Sequence, residues 1–224
     1  MPGLIDKSTS ATARNFRDYV RYLISRPSGP AKRFVIFGRG RSGSTLLVDL
    51  LGSLDSVCCD GEILHYRVYF PKLHIETQAA KAPATVYGFK LLSYQLGSVQ
   101  GIANPADFLR SLEQAGYQFI YLQRRNLLRH ALSNIVARQR EQFHFRDSSQ
   151  RTKHQIDVDE VLKWMKSSQR MRVKELSWLS GISYLELFYE DDLLDSDRHQ
   201  ATIDRVCSYL QIPSAPVKTN LRKA

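Results

Sequence analysis

Short uninterrupted apolar runs alternate along this chain with longer stretches in which apolar residues recur every three or four positions. The first kind reads as strands: Phe34–Phe37, buried on both faces, Val57–Cys59, Thr85–Leu92, the buried Gln118–Leu122, and Tyr184–Phe188. The second kind reads as amphipathic helices. Phe16, Tyr19, Val20, Leu23 and Ile24 predict a peripheral N-terminal helix over residues 11–25, ended by Arg26-Pro27-Ser28-Gly29-Pro30. Leu46, Leu47, Leu50 and Leu51 predict a helix starting near Gly43, and Asn104-Pro105 opens another that runs through Leu112 and stops at Gly116. Leu128, Ala131, Leu132, Ile135 and Val136 share one face of a further helix. Val158–Leu179 closes at Gly181, and Ile203, Val206, Tyr209 and Leu210 mark the last helix. Strands alternating with helices predict an α/β fold, a mostly parallel sheet covered by helices on both faces. At 224 residues one domain, 1–224, accounts for the whole chain.

The connection after the first strand carries chemistry. Gly38-Arg39-Gly40-Arg41-Ser42-Gly43-Ser44-Thr45 joins a buried strand to a helix start. A glycine-rich turn there aims backbone N–H groups and the positive helix end at one point, which suits phosphate. The spacing Gly38-x4-Gly43-Ser44-Thr45 resembles a Walker A loop in which Ser44 stands where the lysine belongs, giving a P-loop-type sheet without the residue that reaches a triphosphate. Positive charge sits inside the turn instead, on Arg39 and Arg41, and two arginines so close repel unless an anion lies between them.

The formal net charge of +10 makes acidic partners plausible without choosing among them. Cys58, Cys59 and Cys207 give no disulfide framework, and no metal-ligand spacing appears among the Cys and His residues. Met1–Ala13 lacks the apolar core of a signal peptide, and no apolar run approaches the length of a membrane span. The expectation is a soluble, cytoplasmic chain with no membrane span.

A second constellation, Arg124-Arg125-Asn126-Leu127-Leu128-Arg129-His130-Ala131-Leu132-Ser133, lies where another buried strand meets a helix. Ser133 follows Arg125 by eight residues, about two helical turns, so both side chains can reach one anion if the chain bends back between them. Together the two segments resemble the nucleotide motifs of sulfotransferases that use 3′-phosphoadenosine 5′-phosphosulfate (PAPS). Arg41-Ser42-Gly43-Ser44-Thr45 is similar to the loop that cradles the 5′-phosphosulfate, and Arg125 with Ser133 to the pair that binds the 3′-phosphate. The wording of Gly38–Leu47, then Asp60-Gly61-Glu62, then Tyr87-Gly88-Phe89-Lys90 resembles the bacterial branch acting on saccharides and glycolipids. Two features of the branch that modifies phenols and steroids, its catalytic His motif and its closing glycine-rich segment, are absent. Lys218–Lys223 stands where a basic flap is expected, and the family continues into a terminal helix, so a truncated C-terminus is expected.

The resemblance implies transfer of a sulfuryl group from PAPS to a hydroxyl of a small-molecule or glycan acceptor, with no divalent metal and no nucleic acid. Arg41 and the loop N–H groups, including those at Gly40, Ser42 and Gly43, are expected on the leaving phosphate and bridging oxygen. Ser44 and Thr45 would hold the same phosphate, and Arg39 would face the sulfate or solvent. Glu62, which follows a second strand expected beside the glycine-rich turn, is the expected general base, with His65 as its competitor, and Lys90 is expected to hold the sulfate or orient Glu62. The basic segment Phe143–Gln155, with Arg138 and Arg140 before it, is expected as a lid over the acceptor. Two rival readings are a nucleoside or small-molecule kinase on the same loop and a basic nucleic-acid-binding domain. The residues do not decide the oligomeric state.

Overall fold

The computed structural model describes residues 7–25, 29–142, 156–219 and 221. Five parallel strands, β1 (Lys32–Gly38), β2 (Val57–Asp60), β3 (Val86–Leu92), β4 (Tyr117–Gln123) and β5 (Tyr184–Phe188), form one sheet in the order β2-β3-β1-β4-β5. Seven α-helices accompany them among the described residues: α1 (Lys7–Ser25), α2 (Ser44–Gly52), α3 (Pro71–Lys81), α4 (Pro105–Gln114), α5 (Leu127–Gln142), α6 (Val158–Trp178) and α7 (His199–Leu210).

Alternation along β1 divides the core. Val35 and Phe37 pack with residues of α3, α4 and the end of α6, while Phe34 and Ile36 pack with α2 and α7 on the opposite face. All five strands point the same way, so the connections after Gly38, Asp60, Leu92, Gln123 and Phe188 leave one end of the sheet. The chain passes from the β3 side of β1 to the β4 side, and this reversal of strand order is where open parallel sheets leave a crevice.

Two placements differ from the sequence expectation. The second strand, expected beside the glycine-rich turn, pairs with β3 at the sheet edge, so β3 lies between it and β1. The helix α3 has no counterpart among the predicted elements. Pro71 marks its start, but its buried positions include His74, Thr77 and Ala79, so the apolar stripe that identifies a helix is missing. The N-terminal helix reaches back to Lys7 and lies on α3, with Asp18 paired to Lys81 and the Tyr19 hydroxyl 3.2 Å from His74 Nδ1. No helix among the described residues is long and apolar enough to cross a membrane. The segment 143–155 expected as a lid lies outside the described residues. Of Lys218–Lys223, Thr219 hydrogen-bonds Asp49 on α2.

Candidate functional site

The turn after β1 is tight. Ser42 Oγ donates to the Arg39 carbonyl at 2.7 Å, and Gly43 takes φ 90° to feed α2. A Cβ on Gly43 would also stand 2.5 Å from the Tyr189 ring, so glycine is required there twice over. Arg41 holds φ 62°, a left-handed conformation that is costly for a side-chain-bearing residue. No side chain caps α2, so the N–H groups of its first turn, at Ser44, Thr45 and Leu46, have no intrahelical acceptor and face the crevice end.

Arg41 and Ser133 come together, a contact the spacing did not anticipate, since the eight-residue interval pairs Ser133 with Arg125. Arg41 Nε lies 3.3 Å from Ser133 Oγ on α5, so the first loop and the second motif share one guanidinium. Two further contacts tie the same elements: Arg124 donates to the Arg41 carbonyl at 3.1 Å, and His130 Nε2 donates to the Gly40 carbonyl at 2.7 Å. His130 is fully buried, with Trp164 of α6 edge-on at 4.7 Å, and its Nδ1 has no hydrogen-bond partner among the described residues. Burial outweighs the Gly40 bond and lowers its pKa to about 4, with Arg39 and Arg124 adding repulsion, so the ring is neutral at pH 7.

Two expected ligand arginines point elsewhere. Arg39 was expected on the sulfate or in solvent. It is instead 8% exposed, bonds the Ser168 carbonyl at 2.9 Å and the Ser168 hydroxyl, and sets Nε 3.6 Å from Glu175. Glu175 is wholly buried on α6 and also accepts from the Tyr121 hydroxyl at 2.8 Å. Burial pushes its carboxyl above the usual range while Ser93, Arg39 and Tyr121 oppose the rise. A buried carboxylate needs a counter-charge, and Arg39 supplies it, which makes it a strut between the turn and α6. Arg125 also turns away from the loop. Its guanidinium pairs with Asp191 at 2.9 Å and stacks 3.9 Å from the Phe188 ring centroid.

The turn after β5 forms a wall that the sequence reading missed. Glu190 accepts from the backbone N–H groups of Arg125 at 2.9 Å and Asn126 at 3.1 Å, just ahead of α5. Tyr189 lies under the Arg124 guanidinium at 4.7 Å, and burial lowers that group's pKa.

On the other side of the turn a polar chain runs from α2 to the sheet edge. Lys90 Nζ on β3 lies 3.2 Å from Thr45 Oγ1 and 2.9 Å from Glu62 Oε1, and Gln95 Nε2 donates to Glu62 Oε2 at 2.7 Å. Glu62 therefore reaches the turn through Lys90, although its own strand is not adjacent to β1. Each carboxylate oxygen keeps a lone pair beyond the one engaged. His65 is exposed and bonds the Glu62 carbonyl, not its carboxylate. A polar cleft of about 330 Å³ is lined by Asp60, Gly61, Glu62, His65, Tyr66 and His74, among others. A larger apolar groove of about 540 Å³, with Phe70, Leu73, Ile102 and Phe108, shares no residue with it.

Compared with known proteins, the chain matches no protein-family model and no curated protein. The site must be read from its own chemistry. Around the turn stand Arg41, Arg124, Ser44, Thr45, Ser133, Lys90 and a helix N-terminus, a set that donates hydrogen bonds and positive charge and therefore fits a phosphate-bearing anion. Among the described residues no group of three or more His, Cys, Asp or Glu side chains is gathered to hold a metal ion.

Proposed function

We propose that this chain is a sulfotransferase that moves a sulfuryl group from PAPS to a hydroxyl of an acceptor, a saccharide or glycolipid by the sequence resemblance, on a P-loop-type sheet. The observation that carries the reading is the 3.3 Å approach of Arg41 to Ser133, which joins the loop expected at the 5′-phosphosulfate to the motif expected at the 3′-phosphate. A ligand with phosphate on both sides of one ribose suits a guanidinium standing between two anion sites.

PAPS supplies an activated sulfuryl group whose leaving group is a phosphate. Arg41, the loop N–H groups and the first turn of α2 neutralise charge as it builds on that phosphate and its bridging oxygen. Ser44 and Thr45 hold the 5′-phosphate, and Lys90, bonded to Thr45, places an ammonium beside the group in transit. Glu62 removes the proton of the acceptor hydroxyl as the new S–O bond forms and the S–O bond to phosphate breaks. Lys90 and Gln95 fix its two oxygens while leaving a lone pair for the incoming hydroxyl. The polar cleft beside Glu62 is the acceptor's entry.

One observation favours a second reading. Lys90 brings an ammonium to Thr45 from a neighbouring strand, close to where a kinase loop keeps its own lysine, so a P-loop kinase is the rival. Turnover of labelled PAPS against a panel of glycans and glycolipids separates the two. With the best acceptor, Glu62→Gln is expected to lower kcat by about 10²- to 10⁴-fold and His65→Ala to leave it within about threefold. Turnover at saturating PAPS that survives Glu62→Gln and collapses in His65→Ala contradicts the assignment.

A further inference from the structure

The acidic turn after β5 faces a site otherwise built to bind anions, and that placement has a functional reading that rests on the proposed use of PAPS. Glu190 occupies the backbone N–H groups of Arg125 and Asn126 just ahead of α5, and Asp191 holds Arg125 against Phe188. One carboxylate, Asp191, thus stands on Arg125, a residue expected at the 3′-phosphate, and the other, Glu190, stands beside it just ahead of α5. Their solvent access differs. Glu190 is about one-fifth exposed and carries two backbone bonds, whereas the Arg125 and Asp191 side chains are 56% and 46% exposed and share a single pair. An exposed pair of this kind is held by little net free energy and exchanges readily.

We propose that Asp191 is a specificity-determining residue: it occupies Arg125 in the free protein and yields it to the 3′-phosphate of the nucleotide. No covalent step is involved. One carboxylate–guanidinium pair is replaced by a phosphate–guanidinium pair, which is doubly charged and can be bidentate. A nucleotide with a 5′-phosphate alone gives Arg125 no reason to leave Asp191, so the exchange rewards the 3′-phosphate specifically. Glu190 does not move. It keeps the start of α5 and Arg124 in place while Arg125 swings.

The test is calorimetric titration of the full chain with adenosine 3′,5′-bisphosphate and with adenosine 5′-monophosphate. Asp191→Asn is expected to bind the bisphosphate about fivefold more tightly and the monophosphate unchanged, with the gain shrinking at high ionic strength. In an Arg125→Ala background the same substitution is expected to give no gain, because no guanidinium remains to be freed. A wild-type chain that binds the bisphosphate while Asp191→Asn leaves its affinity unchanged or weaker overturns the proposal and leaves the sulfotransferase reading standing. A gain equal in size with and without Arg125 also overturns it, since it reduces Asp191 to bulk repulsion. A wild-type chain that binds no bisphosphate overturns both.

Discussion

Acid should loosen the glycine-rich turn from α5 through a single side chain. His130 donates to the Gly40 carbonyl, is wholly buried, and has no acceptor for a second ring proton among the described residues. Its pKa in the folded chain is about 4, against an ordinary 6.5, with burial as the main cause. The unfolded chain therefore binds the proton more readily over that interval, so stability is full above pH 6.5 and falls as pH drops toward 4. Below that it changes no further through this group. At 1.36 kcal/mol per pH unit the whole effect is about 3 kcal/mol, of which about 2 kcal/mol is already lost at pH 5. Urea unfolding at pH 7.5 and pH 5 reads the loss, and His130→Phe isolates it. His74 is also buried with a lowered pKa and adds to the wild-type slope in the same direction. The variant should be less stable at pH 7.5, because the Gly40 carbonyl loses its donor, yet show about 2 kcal/mol less dependence on pH. An NMR titration placing the His130 ring near 6.5, or a variant with the wild-type slope, would show that this histidine is not held neutral by the fold.

Further expectations concern the turn itself. Gly43→Ala puts a methyl 2.5 Å from Tyr189 at φ 90° and should cost about 1–3 kcal/mol of stability by thermal or urea unfolding, whereas a Cβ on Gly40 meets nothing nearer than Leu92 at 3.7 Å. Gly40→Ala should therefore fold within about 0.5 kcal/mol of wild type yet bind adenosine 3′,5′-bisphosphate at least about tenfold more weakly, and a variant that binds normally would remove Gly40 from the phosphate cradle. Arg41→Gly relieves a left-handed residue and should gain about 1 kcal/mol of stability while losing most bisphosphate affinity. A variant that loses both would mean that Arg41 serves the fold before the ligand.

What could be read from sequence followed from how local each signal is. Buried strands and amphipathic helices declare themselves within a dozen residues, so all five strands and six of the seven helices were expected in place. The exception, α3, buries His74, Thr77 and Ala79, which carry no apolar period. That both motifs lie at one end of a parallel sheet was legible, although the spacing paired Ser133 with Arg125 and not with Arg41. Side-chain direction was not. Arg39 and Arg125 sit in the two motifs singled out, but distant acids claim them: Glu175 on α6 and Asp191 after β5. Such pairings span 136 and 66 residues of chain, and one sequence holds no trace of them. Glu62 follows β2, which β3 separates from β1, and Lys90 makes the connection to the turn. His130 gave no signal beyond its position one turn before Ser133.

One titration bears on the central claim most directly. Adenosine 3′,5′-bisphosphate, added to the protein in a calorimeter with Mg²⁺-ATP as the parallel arm, should bind at one site per chain, more tightly than ATP, and lose that preference when Ser133 is replaced by Ala. Tight binding of Mg²⁺-ATP with no heat from the bisphosphate would contradict a site built around phosphates on both sides of one ribose.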